Sequence, residues 1–174
     1  MERRPWVARK FQLGLPPAAF ADVLERVRGT PARLEDRARG LTPYQLTRRH
    51  QGAWSIQDNI GHLLDLETLW ETRLDELMAG DSDLTGADMT NRKTDEAAHN
   101  EREIGELLTQ FRTARETIAN RLDAMTGIDV RRTALHPRLQ QPMSMVDLCF
   151  FVAEHDDHHL ASITQVLQIA GELS

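Results

Sequence analysis

Residues 144–170 read SMVDLCFFVAEHDDHHLASITQVLQIA, and this stretch decides the fold. Leu148, Val152, Ile163, Val166 and Ala170 recur at helical steps, which predicts one apolar stripe on a helix that Ser144 can cap. His155 and His159 fall inside that stripe and, four residues apart, share one face. Burying imidazoles without partners costs about 1–3 kcal/mol for each unsatisfied group. Two readings follow: a pair of metal ligands in a core seam, or two hydrogen-bonded core histidines. His158 lies about 60° around the helix from His155 at roughly 100° per residue, so it reads as a rim group able to touch a substrate.

Working outward, the same period recurs three more times, while alternating strand-like runs are nearly absent. A first helix is expected over 17–38, carrying Phe20, Val23, Leu24, Val27 and Leu34, with Pro31 expected to kink or interrupt it. A second spans 55–79, capped by Ser55 with Asp58 in its first turn and ending near Gly80. A third covers 94–125, the turn-rich stretch 80–88 is a loop, and 128–142 reads as a long connection. Thr42-Pro43 marks a short extra turn. Four amphipathic helices pack most simply as an all-α four-helix bundle, here one domain over residues 1–174 with long connections.

Composition narrows the function. With 21 Lys and Arg against 27 Asp and Glu, the formal charge is −6, which argues against nucleic acid as a partner. No apolar run approaches the roughly 20 residues of a membrane span. The opening Met1-Glu2-Arg3-Arg4 has no apolar stretch behind it, so a cytoplasmic address is expected. Cys149 stands alone among Leu148, Phe150 and Phe151, so it reads as a buried hydrophobe.

The second helix offers a third imidazole, because His62 lies within the arc of Ile60, Leu63, Leu66, Leu69 and Trp70. Glu67 sits near the centre of that arc. It could orient a ligand imidazole, transfer protons near a metal, or pair with an arginine of a neighbouring helix. His136, on the connection before the last helix, could line the mouth of a site or lie on the surface, and His50 and His99 read as exposed. Three imidazoles with open remaining positions are the pattern of a catalytic metal, since structural zinc sites close all four positions with protein ligands. Imidazole ligation suits zinc, nickel, copper or iron.

At these residues the chain resembles the DinB/YfiT-like superfamily of metal-binding bundles. The matching segments are Trp54-Ser55, Gly61-His62-Leu63-Leu64-Asp65-Leu66-Glu67 and Glu154-His155-Asp156-Asp157-His158-His159-Leu160, with Pro5-Trp6-Val7-Ala8-Arg9-Lys10-Phe11 and Leu135-His136-Pro137-Arg138-Leu139. The resemblance implies an up-down-down-up bundle, frequently a homodimer. It also implies one divalent ion, nickel or zinc, held by His62, His155 and His159. Some relatives join a low-molecular-weight thiol such as bacillithiol or mycothiol to an electrophile, and related bundles isomerise maleylpyruvate with such a thiol. The first expectation is therefore a metal-dependent thiol S-transferase acting on a small molecule. The alternatives are a hydrolase using metal-bound water with Glu67 or Asp156 as base, and a stress-related metal- or ligand-binding protein without turnover.

Overall fold

A computed structural model describes residues 4–171, so Met1, Glu2 and Arg3 of the opening lie outside the described residues. Four long helices carry the architecture: α1 (Phe20–Ala38), α3 (Ile56–Ala79), α5 (Ile104–Asp123) and α6 (Met145–Ile169). Between them lie two single-turn helices, α2 (Pro43–Thr47) and α4 (Arg92–Glu96), and an antiparallel hairpin of β1 (Thr133–His136) and β2 (Gln141–Ser144).

The helix starts follow from side-chain chemistry. Ser55 accepts from the Asp58 amide while Asp58 accepts from the Ser55 amide, and Ser144 and Asp147 repeat the exchange at α6. Gly80 closes α3 at φ 82°, a left-handed conformation that glycine adopts without strain.

The four main helices form a ring in which α1 packs on α5 and α6, and α3 packs on the same two, leaving α1 and α3 diagonal. Two apolar clusters fill the interior, and the order in which each helix visits them gives its direction. Helix α1 runs from the cluster of Val23, Leu24 and Val27 to that of Leu34 and Ala38. Helix α3 runs the other way, from Ile56, Ile60 and Leu63 to Trp70, Leu74 and Leu77. Helix α5 follows α3, from Leu107 and Phe111 to Ile118 and Leu122, and α6 returns with α1, from Val146 and Val152 to Leu160 and Ile163. The expected up-down-down-up bundle is the observed one.

A polar layer separates the two clusters, with a contribution from each main helix. Arg115, on α5, forms two bonds to Glu67 of α3 at 2.6 and 3.1 Å and two to Asp156 of α6. It also donates to the Val27 carbonyl of α1 at 3.2 Å. That carbonyl is available because Pro31, four residues on, has no amide hydrogen to bond it. The proline expected to kink or interrupt α1 instead sits within an unbroken helix and leaves an acceptor for a buried guanidinium. Thr30 adds a 2.7 Å bond to Asp156.

Two further expectations need correction. The helix predicted over 94–125 is broken into α4, a 3-10 turn at His99–Glu101 and α5, because Ala98 adopts a positive φ of 49° and Glu103 opens the long segment in an extended conformation. The connection 128–142 holds the hairpin, which the loop after α3 extends through Leu84 N to Leu135 O at 3.0 Å and Leu135 N to Ser82 O at 2.8 Å. Among the described residues, no helix is long and apolar enough to cross a membrane.

Candidate metal centre

His62 from α3 and His155 and His159 from α6 meet beside the polar layer. Their ring centroids are 4.6–5.3 Å apart, all three are buried, and one ligand nitrogen from each lies within 4.8 Å of the others.

Surrounding groups fix two of the rings. Thr94 Oγ1 donates its single proton to Asp65 at 2.8 Å, so its oxygen accepts from His62 Nδ1 at 3.0 Å. His62 is thereby the Nδ1-protonated tautomer, and its Nε2 lone pair is available. Asn59 Nδ2 donates to the Ser55 carbonyl at 2.7 Å, which orients Oδ1 to accept from His159 Nδ1 at 2.9 Å. The same logic leaves the Nε2 lone pair of His159. His155 Nδ1 is buried with no hydrogen-bond partner. Burial also keeps the His62 and His155 rings neutral: it lowers His62 to about 4 and, with the neighbouring His62, drives His155 well below its ordinary value.

Neutral, pre-oriented imidazoles with one orphaned nitrogen are a donor set that fits a divalent transition metal. Nitrogens around a tetrahedral ion at about 2.0–2.1 Å stand roughly 3.3–3.4 Å apart, so the ring nitrogens would close by up to about 1.5 Å on binding it.

Asp65 anchors the His62 side. Burial alone would raise its pKa, but bonds from His99 Nε2 at 2.8 Å and from Thr94 outweigh it and hold the carboxyl below its ordinary value. His99, expected on the surface, is buried. It reaches Asp65 because Gly61 has no side chain: a Cβ there would lie 2.2 Å from His99 Cγ.

Both residues weighed as catalytic bases are engaged elsewhere. Glu67 and Asp156 are paired with the fully buried Arg115, the ion-pair alternative considered for Glu67. Burial, opposed by Arg115, raises the Glu67 carboxyl above its ordinary value. Cys149 is buried, and burial pushes its thiol up to about 12, so it stays a protonated hydrophobe.

The three histidines open onto a cavity of about 780 Å³. Trp6 meets His155 edge-on at 4.9 Å, Trp54 packs on His62 at 4.8 Å, and Trp70 stands 5.8 Å from His155. His158 lines the cavity half-buried, 5.7 Å from Trp6, as a rim residue should. His136, at the end of β1, also lines it but is buried, so the surface alternative for that residue is wrong. His50 is exposed, at the cavity mouth. The sequence reading missed Asn59, Thr94, Asp65 and His99. The first and third lie three residues either side of His62, a helical spacing that could have pointed to them.

Comparisons with known proteins bear on this arrangement. The family model of the DinB superfamily matches residues 26–163, well over half of the chain. Among solved structures, one similar in fold is YfiT from Bacillus subtilis, described as a probable metal-dependent hydrolase with an unusual four-helix bundle topology. It has a TM-score of 0.78, 19% identity, and coverage of 94% of each chain. A mycothiol-dependent maleylpyruvate isomerase aligns with a TM-score of 0.64 at 11% identity, over 88% of this chain and 63% of that one. At these identities the likeness speaks to fold alone. No functionally curated protein matches the chain.

Proposed function

The chain belongs to the DinB superfamily, and from that premise we propose that it is a metal-dependent thiol S-transferase. His62, His155 and His159 hold one divalent ion, nickel or zinc, and the adjoining cavity takes a low-molecular-weight thiol and an electrophile. A bound ion of this kind lowers the pKa of a thiol or a water at its open position.

The observation that favours thiol transfer is that, among the described residues, no carboxylate base is positioned in the cavity. Glu67 and Asp156 are committed to Arg115, and the one acidic residue among those lining the cavity, Asp88, is exposed and bonded to Thr90 and Arg92. Hydrolysis by bound water calls for such a base, whereas a thiol made acidic needs only somewhere to lose its proton.

The protein's own residues supply the rest. Thr94 and Asn59 hold the imidazoles in orientation, and Trp6, Trp54 and Trp70 wall the reactants from bulk water. His158, which lines the cavity, receives the thiol proton in this reading. The sulfur electron pair then forms the bond to the electrophilic carbon, and a leaving group departs with its own bonding pair.

The test is consumption of bacillithiol, mycothiol, glutathione or cysteine with monochlorobimane, with metal and with chelator. A metal-dependent rate with at least one thiol is expected, and equal rates throughout would remove the proposal. Hydrolysis is the second reading, favoured by likeness to YfiT, which is described as a probable metal-dependent hydrolase. Ester or amide turnover by the metal-loaded protein that His62→Ala abolishes would select it.

A further inference from the structure

At the hairpin end of the cavity, Arg73 and Arg138 both stand near His136. Arg73, 1% exposed on α3, donates from Nε to the Thr85 carbonyl at 2.9 Å and sets Nη1 3.3 Å from His136 Nε2. Arg138 lies over Trp6 and Phe151 at 5.9 and 5.8 Å. Its Nη1 reaches only the Val7 carbonyl at 3.4 Å, and its Nη2 is buried with no partner. Among the described residues, neither has an acidic group within ion-pair distance. Glu76, one turn from Arg73, is taken by the Thr85 amide at 2.8 Å and the Thr85 hydroxyl, and Asp88 is taken by Thr90 and Arg92.

His136 sharpens the mismatch. The Leu139 amide donates to its Nδ1 at 3.2 Å, so Nδ1 holds the lone pair and Nε2 carries the hydrogen. That hydrogen points at another donor, Arg73 Nη1. Burial and both nearby arginines lower the ring to about 4, so it is neutral and has a single lone pair to offer. Trp70, beneath Arg73 at 5.4 Å, likewise has an indole N–H with no acceptor. A buried Arg73 with no carboxylate at ion-pair distance, an orphaned Arg138 Nη2 and opposed donors are costly. One added acceptor of negative charge resolves them together.

We propose that Arg73, His136 and Arg138 form an oxyanion subsite that holds a carboxylate of the small-molecule substrate in the same cavity as His62, His155 and His159. The assignment deepens the metal-dependent reading above and rests on it for the word substrate. A carboxylate suits the site because Arg73 Nη2, His136 Nε2 and Arg138 Nη2 are few enough for two oxygens. The flanking Trp6, Trp70 and Phe151 suit an apolar or aromatic body.

The experiment is calorimetric titration with 1-naphthoate, the uncharged 1-naphthamide and inorganic phosphate, on metal-stripped and metal-loaded protein. Naphthoate is expected to bind stripped protein at least tenfold tighter than naphthamide, and Arg138→Gln to weaken it tenfold or more, while metal content is unchanged. Arg138 lies in the hairpin loop and is half-buried, so its replacement spares the core; far-UV circular dichroism checks this. Arg73→Gln is the companion variant. Equal binding of acid and amide overturns the subsite. So does naphthoate binding that requires metal and ignores Arg138→Gln, or phosphate binding tighter than naphthoate. Naphthoate binding to a protein that holds no metal would instead fail the metal reading and leave the subsite standing.

Discussion

Gly61→Ala should damage this protein although the position is in the middle of a helix, where alanine is ordinarily the better residue by about 1 kcal/mol. The added Cβ would lie 2.2, 2.3 and 2.6 Å from three atoms of the His99 ring. Carbon atoms pack at about 3.5–4.0 Å, so the ring must retreat by more than about 1 Å, and its 2.8 Å bond to Asp65 cannot survive. Overpacking costs roughly 1–3 kcal/mol and a lost bond to a charged group about 1.5–3. After the gain in helix propensity the balance is a loss of about 3 kcal/mol, which lowers Tm by roughly 6–12 °C for a domain of this size. Asp65 then no longer holds Thr94 against His62, and disruption of such supporting bonds typically weakens metal binding 10- to 100-fold. Thermal melts and a zinc titration against a chromophoric chelator measure both effects. Gly61→Ala with His99→Ala should regain part of the melting temperature, since the clash is gone, but not the metal affinity. A single variant as stable as the wild type, with unchanged zinc affinity, would refute the reasoning.

Asn59→Ala removes the acceptor that orients His159 and should weaken metal binding about 10- to 100-fold with little change of fold, read by the same titration. Arg115→Met strands two buried carboxylates and should cost about 3–5 kcal/mol in urea unfolding, much of it regained when Glu67→Met and Asp156→Leu are added. For metal-free protein, pH dependence follows from His62, which burial lowers from 6.5 to about 4. Between those values the unfolded chain binds more protons than the folded one, so stability is complete above about pH 6.5 and falls as pH drops toward 4. His62 alone accounts for up to about 1.4 kcal/mol per pH unit. Urea midpoints that stay constant or rise between pH 7 and 5 would contradict this.

Much of the bundle was legible because its signals are local. Ser55 and Ser144 announce helix starts by their own side-chain chemistry, Gly80 ends α3 by its left-handed φ, and the apolar periods place the core faces. The convergence of His62 with His155 and His159 could be expected from imidazoles inside apolar stripes. What could not be read depends on partners distant in sequence. An arginine partner was one of the alternatives for Glu67, but that Arg115 on a third helix holds both Glu67 and Asp156 could not be read, and Pro31 pointed to a kink or interruption until the carbonyl it frees met that same arginine. His99 looked exposed because its burial depends on a missing side chain at Gly61. The hairpin escaped notice because its two four-residue strands carry a proline in β2, and tertiary pairing through Ser82 and Leu84 supports them.

Elemental analysis of the protein purified without added metal, repeated after dialysis against nickel or zinc and on His62→Ala, His155→Ala and His159→Ala, tests the metal centre most directly. One equivalent of a divalent transition metal in the wild type, and a large loss in each variant whose circular dichroism remains helical, is the predicted result. A wild type that retains no metal under any loading condition, or variants that bind it as well as the wild type does, would contradict it.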